Sequence, residues 1–319
     1  MTEKKKYQPL DAMKYPRFEG IRTFMRLPHK SNLDEIDFAT VGVPFDTGAT
    51  FRVGARFGPA GIRDHSLLLR PYNPAQQIDI FEHCSGIDHG DLPIVPGYLR
   101  ESHQMIKDGS QKIFNSRTTP IFMGGDHSIS LPLLRAAKEE YGPLALIHFD
   151  AHSDLWHGYF DKKDTHGTPF RRALEEGLID PSRSSQVGLR GPLYDRHDAQ
   201  MSAEAGLLAI TGPELHRMGI AEAISRIKER AMTGPAYLTF DIDFVDPAYA
   251  PGTGTPEAGG FTGYDSLALV RGLTDIEFIG YDLVEVMPAY DPANITCLLA
   301  ANIIYEFITL IALSKRDKI

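Results

Sequence analysis

The chain predicts a three-layer α/β/α fold around a mostly parallel, eight-stranded sheet, and three observations carry that expectation. Eight short apolar runs, at 38–43, 85–88, 120–123, 144–149, 185–189, 207–210, 236–240 and 277–283, have the length and hydrophobicity of buried strands. Amphipathic stretches at 59–69, 101–114, 128–140, 169–176, 214–232 and 264–273 separate them, and a last helix is expected over 293–314. Strands that alternate with helices are joined by crossovers, which makes neighbours parallel and covers both faces of the sheet. Third, 319 residues fit one large α/β domain, and no shift in composition divides them.

In chain order, residues 1–35 read as an irregular arm, because Pro9, Pro16 and Pro28 break any helix there. The arm is expected to lie over the body or over a neighbouring copy. Residues 36–319 then read as a single domain. Two loops, 150–168 and 242–263, are far longer than an ordinary strand-to-helix turn, and long loops in compact domains tend to carry function. The second is stiffened by Pro247, Pro251, Pro256 and several glycines. The apolar run 297–313 is interrupted by Asn302, Tyr305 and Glu306 and is barely long enough to cross a bilayer, so it reads as a buried helix and no membrane partner is expected.

A net charge of -9 and a pI near 5.7, with no basic stripe, argue against a nucleic-acid partner and favour a small cationic one. Cys84 and Cys297 match no metal spacing and build no disulfide framework, which points to a reducing compartment. The charged residues 1–6 lack the apolar core of a signal peptide, so the cytoplasm is expected.

Chemistry concentrates where strands end. After the run 144–149 come Asp150, His152 and Asp154; residues two apart in extended chain share a face, so all three can turn to one point. Asp241 and Asp243 repeat the pattern after 236–240, and Gly124-Gly125 after 120–123 lets the backbone turn sharply toward His127. Four carboxylates and two imidazoles suit a hard or borderline divalent ion, manganese better than zinc or copper. So much charge around one ion is costly; two ions bridged by Asp150 and Asp241 relieve it. His83, His89, His103, His197 and His216 have no such context and read as surface or packing residues.

These segments, Gly-Gly-Asp-His-Ser at 124–128, Asp-Ala-His-Ser-Asp at 150–154 and Phe-Asp-Ile-Asp-Phe-Val-Asp-Pro at 240–247, resemble the arginase and agmatinase family of ureohydrolases. The likeness extends to Val-Pro-Phe-Asp at 43–46, Arg-Phe-Gly-Pro at 56–59, Ala-Pro-Gly-Thr-Gly-Thr-Pro at 250–256 and Asp-Leu-Val-Glu-Val at 282–286. It implies two manganese ions at the carboxyl edge of the sheet. His127, Asp150, Asp154 and Asp241 would hold one, and Asp150, His152, Asp241 and Asp243 the other. A shared water would lose a proton and attack the central carbon of a guanidinium, oriented by Asp154. Glu285 matches the guanidinium-binding carboxylate, and His166 the histidine that protonates the leaving amine.

The resemblance also implies a homo-oligomer, trimeric or hexameric. The arm at 16–28 resembles bacterial guanidinobutyrase and guanidinopropionase, whereas Pro288-Ala289-Tyr290-Asp291 is more like agmatinase. Agmatine is therefore expected narrowly ahead of 4-guanidinobutanoate and 3-guanidinopropanoate. Two departures bear on substrate: Met287 stands where the family commonly has Ser or Asn, and Trp156 falls near the expected pocket mouth. A smaller, more apolar pocket would suit guanidine or an alkyl biguanide, with nickel. Two rival classes remain open: a zinc amide deacetylase, which shares the fold but needs one metal, and a non-catalytic subunit of a ureohydrolase assembly.

Overall fold

A computed structural model describes residues 6–317. Residues 1–5 of the expected arm, and with them most of the charged N-terminal stretch, lie outside the described residues, as do 318–319. Eight strands form the central sheet: β1 (Phe38–Gly42), β2 (Gly86–Asp91), β3 (Thr119–Met123), β4 (Ala145–Phe149), β5 (Ser185–Leu189), β6 (Leu208–Thr211), β7 (Pro235–Asp241) and β8 (Glu277–Val284). Their order across the sheet is β2-β1-β3-β8-β7-β4-β5-β6, and every neighbouring pair is parallel.

Alternation along the strands divides the core in two. Ile121, Ile147 and Leu238 face one apolar layer with Ile62 and the C-terminal helix; Phe122, Leu146 and Tyr237 face the other, with Ile106, Leu134 and Phe170. The first face is covered by α1 (Gly58–Ser66), with α5 (Gly212–Met218), α6 (Ile220–Ala231), α7 (Gly263–Arg271) and α8 (Ile295–Arg316). The second is covered by α2 (Leu99–Asn115), α3 (Ser130–Tyr141) and α4 (Pro169–Glu175). The three-layer expectation is met. Helix α8 is long and apolar enough to cross a membrane by composition, yet 78% of its apolar window is buried in the body.

Some boundaries differ from expectation for local reasons. The stretch 214–232 is two helices because Gly219, at φ 79°, takes the left-handed region and its N–H closes α5 on Leu215 O. Helix α8 starts at Ile295 rather than 293 because Ala293 and Asn294 have φ of 57° and 58°. The Asp291 carboxylate then caps it, accepting from Thr296 N and Cys297 N at 2.8 Å each. A short helix (Ile80–His83) and a two-stranded ribbon (Tyr72–Asn73 with Ile78–Asp79) have no periodic signal. The end of the arm is tied down: Phe24, Met25 and Leu27 are buried, and Phe24 N donates to Asp88 Oδ2 at 2.7 Å.

Candidate metal centre

Four strands adjacent in the sheet, β3, β8, β7 and β4, end on one rim, and each leads into a loop that carries polar groups. After β3, Gly124 N donates to Leu283 O at 2.7 Å and Gly125 N to Val43 O at 3.1 Å, which pins the turn to both neighbouring strands. A side chain at Gly125 would run into the carbonyls of Phe45 and Val43, so only glycine passes. Asp126 accepts from Ser128 N at 3.0 Å and Gly48 N at 2.7 Å, and the turn it caps swings His127 over the rim. Asp154 and Glu285 both sit at left-handed φ, 52° and 63°, a backbone cost paid where side chains must be aimed.

These turns bring the singled-out residues together. His127 Nδ1 lies 3.1 Å from Asp150, 3.0 Å from Asp154 and 3.3 Å from Asp241, yet makes no hydrogen bond. His152 Nδ1 lies 3.0 Å from Asp243 and 3.4 Å from Asp150. Two clusters that share Asp150 result; among the described residues, the tightest are His127, His148, Asp150 and Asp154, and Asp150, His152 and Asp243. Asp241 falls outside both, at the edge of the first.

The donors fit divalent cations. Thr239 Oγ1, 2.9 Å from His127 Nε2, gives its own proton to Asp282 Oδ1 at 2.5 Å, so Nε2 carries a proton and Nδ1, turned to the ring of carboxylates, is the atom that offers a lone pair once deprotonated. A lone pair crowded by three anionic oxygens is relieved by a cation between them. Burial, with the charges of Asp243 and Asp150, holds Asp241 well above the usual carboxylate range; burial and the charge of Asp150 push Asp243 up to about 6. With no cation bound, protons take its place.

His166 and Glu285 meet beside the cluster, Nδ1 to Oε1 at 2.9 Å. Burial disfavours the imidazolium, but the hydrogen bond and charge of Glu285, with Asp126 and Asp154, outweigh it and raise His166 to about 9. Its Nε2 has a partner in either state: the Thr50 N–H at 3.2 Å for the neutral ring, and Thr50 Oγ1 at 2.8 Å for the cation. Glu285 Oε1 also accepts from His127 N at 3.0 Å, while Oε2 is buried and without a partner. A cleft of about 790 Å³ opens here, lined by His152, Asp154, His166, Arg52, Trp156 and Glu257 among others. Trp156 stands in its wall, edge-on to Tyr159 and Tyr194 at 5.9 and 6.3 Å. Met287 is wholly buried, with its side chain beside Gly254, which lines the cleft.

Sequence reasoning passed over His148, whose Nε2 is 2.7 Å from Asp150 Oδ2. The signal existed: His148 is two residues before Asp150 on a strand and shares its face. Thr239 has the same spacing to Asp241 on β7 but no ligand chemistry to draw notice, and Asp282 and Gln186 carried no such signal.

An α/β/α protein with a His/Asp metal-binding cluster at the carboxyl ends of parallel central strands is the class that fold and rim define together. Within it, the chain belongs to the arginase family, whose profile matches residues 36–309. It is 43% identical over 309 residues to guanidinobutyrase of Pseudomonas aeruginosa, covering 96% of this chain and 97% of that one. Guanidinopropionase of the same organism is 42% identical over 306 residues, covering 96% of each. Among solved structures, proclavaminate amidinohydrolase of Streptomyces clavuligerus superposes with a TM-score of 0.91 at 36% identity, covering 94% of this chain and 100% of that chain.

Proposed function

We propose that the protein is a binuclear metal-dependent hydrolase that cleaves a guanidino compound to urea and an amine. The observation that carries this is Glu285 Oε2, a buried carboxylate oxygen without a partner, whose companion Oε1 is bound to His166 and to the backbone of His127. An unpaired buried acceptor is costly, and a planar cation with several N–H donors satisfies it. The family and the relatives' names, guanidinobutyrase, guanidinopropionase and amidinohydrolase, support the same reaction class.

His127, Asp150, Asp154 and Asp241 would hold one cation, and Asp150, His152, Asp241 and Asp243 the second. When bound, such a pair acidifies water so that a nucleophile is available near neutral pH. Glu285 anchors the guanidinium and turns its central carbon toward the rim. Asp154 accepts a proton from the attacking water and orients its lone pair. As the tetrahedral carbon collapses, His166 gives its Nε2 proton to the departing nitrogen, which leaves as a neutral amine; urea remains.

Residues 36–319 would act as one catalytic unit preceded by the arm. Manganese is the proposed metal, with nickel the alternative, because carboxylate oxygens outnumber imidazoles. Met13, Phe18 and Ile21 on the arm are 93%, 79% and 77% exposed, which supports a homo-oligomer in which a neighbouring copy covers them. A cytoplasmic location is proposed as well, supported by a cysteine content of two in 319 residues, too low for a disulfide framework. Agmatine, 4-guanidinobutanoate and 3-guanidinopropanoate are the proposed substrates. The test is urea release from these three, guanidine and an alkyl biguanide, with manganese and nickel compared. Turnover of one of the first three with manganese is expected; no urea from any compound with either metal would overturn the assignment.

A further inference from the structure

Asp282, Thr239, His148 and Gln186 lie side by side across β8, β7, β4 and β5, paired in register from strand to strand. All four are wholly buried in an otherwise apolar layer. Polar groups so placed are tolerated only when hydrogen-bonded, and here several of the bonds reach the rim: Thr239 to His127, His148 to Asp150 and Gln186 to Ser153 O.

The protons in this row can be placed by elimination. Ser153 O can only accept, and Gln186 Nε2 is 2.6 Å from it, which fixes which end of the amide is nitrogen. Gln186 Oε1, at the other end, accepts from the Ser202 hydroxyl at 2.6 Å. The second N–H of Gln186 reaches His148 Nδ1 at 2.9 Å. That ring nitrogen is therefore an acceptor, and the proton of the neutral ring sits on Nε2, 2.7 Å from Asp150 Oδ2. A protonated ring nitrogen has no lone pair to offer a cation. Ring contacts hold the geometry: His148 packs on Phe170 at 4.3 Å and edge-on to His127 at 5.1 Å.

Building on the metal reading above, we propose that His148, although it lies in the tight cluster, is not a ligand but a positioning residue. It donates to Asp150 and fixes the carboxylate that both cation sites share. The row gives its two imidazoles opposite tasks. Thr239 accepts a hydrogen bond from His127 Nε2 and leaves Nδ1 to ligate, whereas Gln186 donates to Nδ1 of His148 and makes Nε2 the donor. Swapping the neighbour swaps the role.

The experiment uses the full-length protein with ¹⁵N-labelled histidine, and calorimetric titration of the metal-free form with manganese. Wild type should show His148 with an unprotonated Nδ1 and should bind two ions. His148→Leu should still bind two ions, with affinity reduced about 10- to 100-fold. His148→Gln, whose amide can still donate to Asp150, should recover part of that loss. Gln186→Glu cannot donate to Nδ1, so a proton should appear there while two ions still bind, as a check should the His148 variants misfold. The proposal is overturned by a protonated Nδ1 in wild type, by one ion in place of two in His148→Leu, or by unchanged affinity in that variant. A wild-type protein that takes up no ion pair would instead overturn the metal reading on which it rests.

Discussion

Glu285 divides its two oxygens between tasks. Oε1 is spent on His166 and on the backbone of His127, while Oε2 is held open. Glu285→Gln keeps the volume and removes the charge, and is expected to lower kcat/KM for urea release about 10²–10³-fold while metal content by elemental analysis stays unchanged. His166→Asn is expected to lower kcat about 10²–10⁴-fold, the usual worth of a positioned proton donor. The pH dependence has a definite sign. His166 is raised to about 9, so its donating form is present below that pH and lost above it. The rate should therefore fall as pH rises through about 9. In Glu285→Gln the main support of the cation is gone, and the limb of the residual activity should move down toward the ordinary histidine value of about 6.5. A limb that stays in place would detach His166 from the proton transfer.

Strand ends and their turns set the rim. Gly125 passes between two carbonyls with no room for a methyl group, so Gly125→Ala must push β3 away from the 43–45 turn. Overpacking of this kind costs about 1–3 kcal/mol, and His127 two residues on should shift with it. Denaturant unfolding should show the loss, and manganese titration a weakened site. Gly219 is the contrast: its φ of 79° strains any side chain, but nothing lies within 4 Å. Gly219→Ala should cost about 1 kcal/mol and leave activity alone. The strands were legible because buried parallel strands are apolar nearly throughout, and their ends shifted only by a few residues. The break at 219 was not legible, since the amphipathic pattern runs on through the glycine and a rotation of the backbone is invisible to it.

At the scale of the molecule, the rim collects four carboxylates that the sheet and both helical layers hold close together. Cations bound only by the folded state add stability by mass action, about 2.7 kcal/mol for each site at a free concentration 100 times its Kd. A chelator should accordingly lower the unfolding temperature and added manganese restore it. Affinity should weaken as pH falls through about 6, where Asp243 takes up a proton that competes with the cation. Thermal unfolding that ignores both chelator and pH would remove the cations from the folded state's ledger.

By itself the sequence determined the eight sheet strands and the main amphipathic helices to within a few residues, the three-layer arrangement and the local groupings at 127, 150–154 and 241–243. These rest on periodicities of two and 3.6 residues and on ligands only two or four positions apart, all short-range properties of a chain. Only the tertiary structure decided that His166 meets Glu285, 119 residues away, and that Asp282, Thr239, His148 and Gln186 form one row beneath the rim. Strand order and register make those pairs, and both depend on how distant segments pack rather than on what lies beside a residue in the chain.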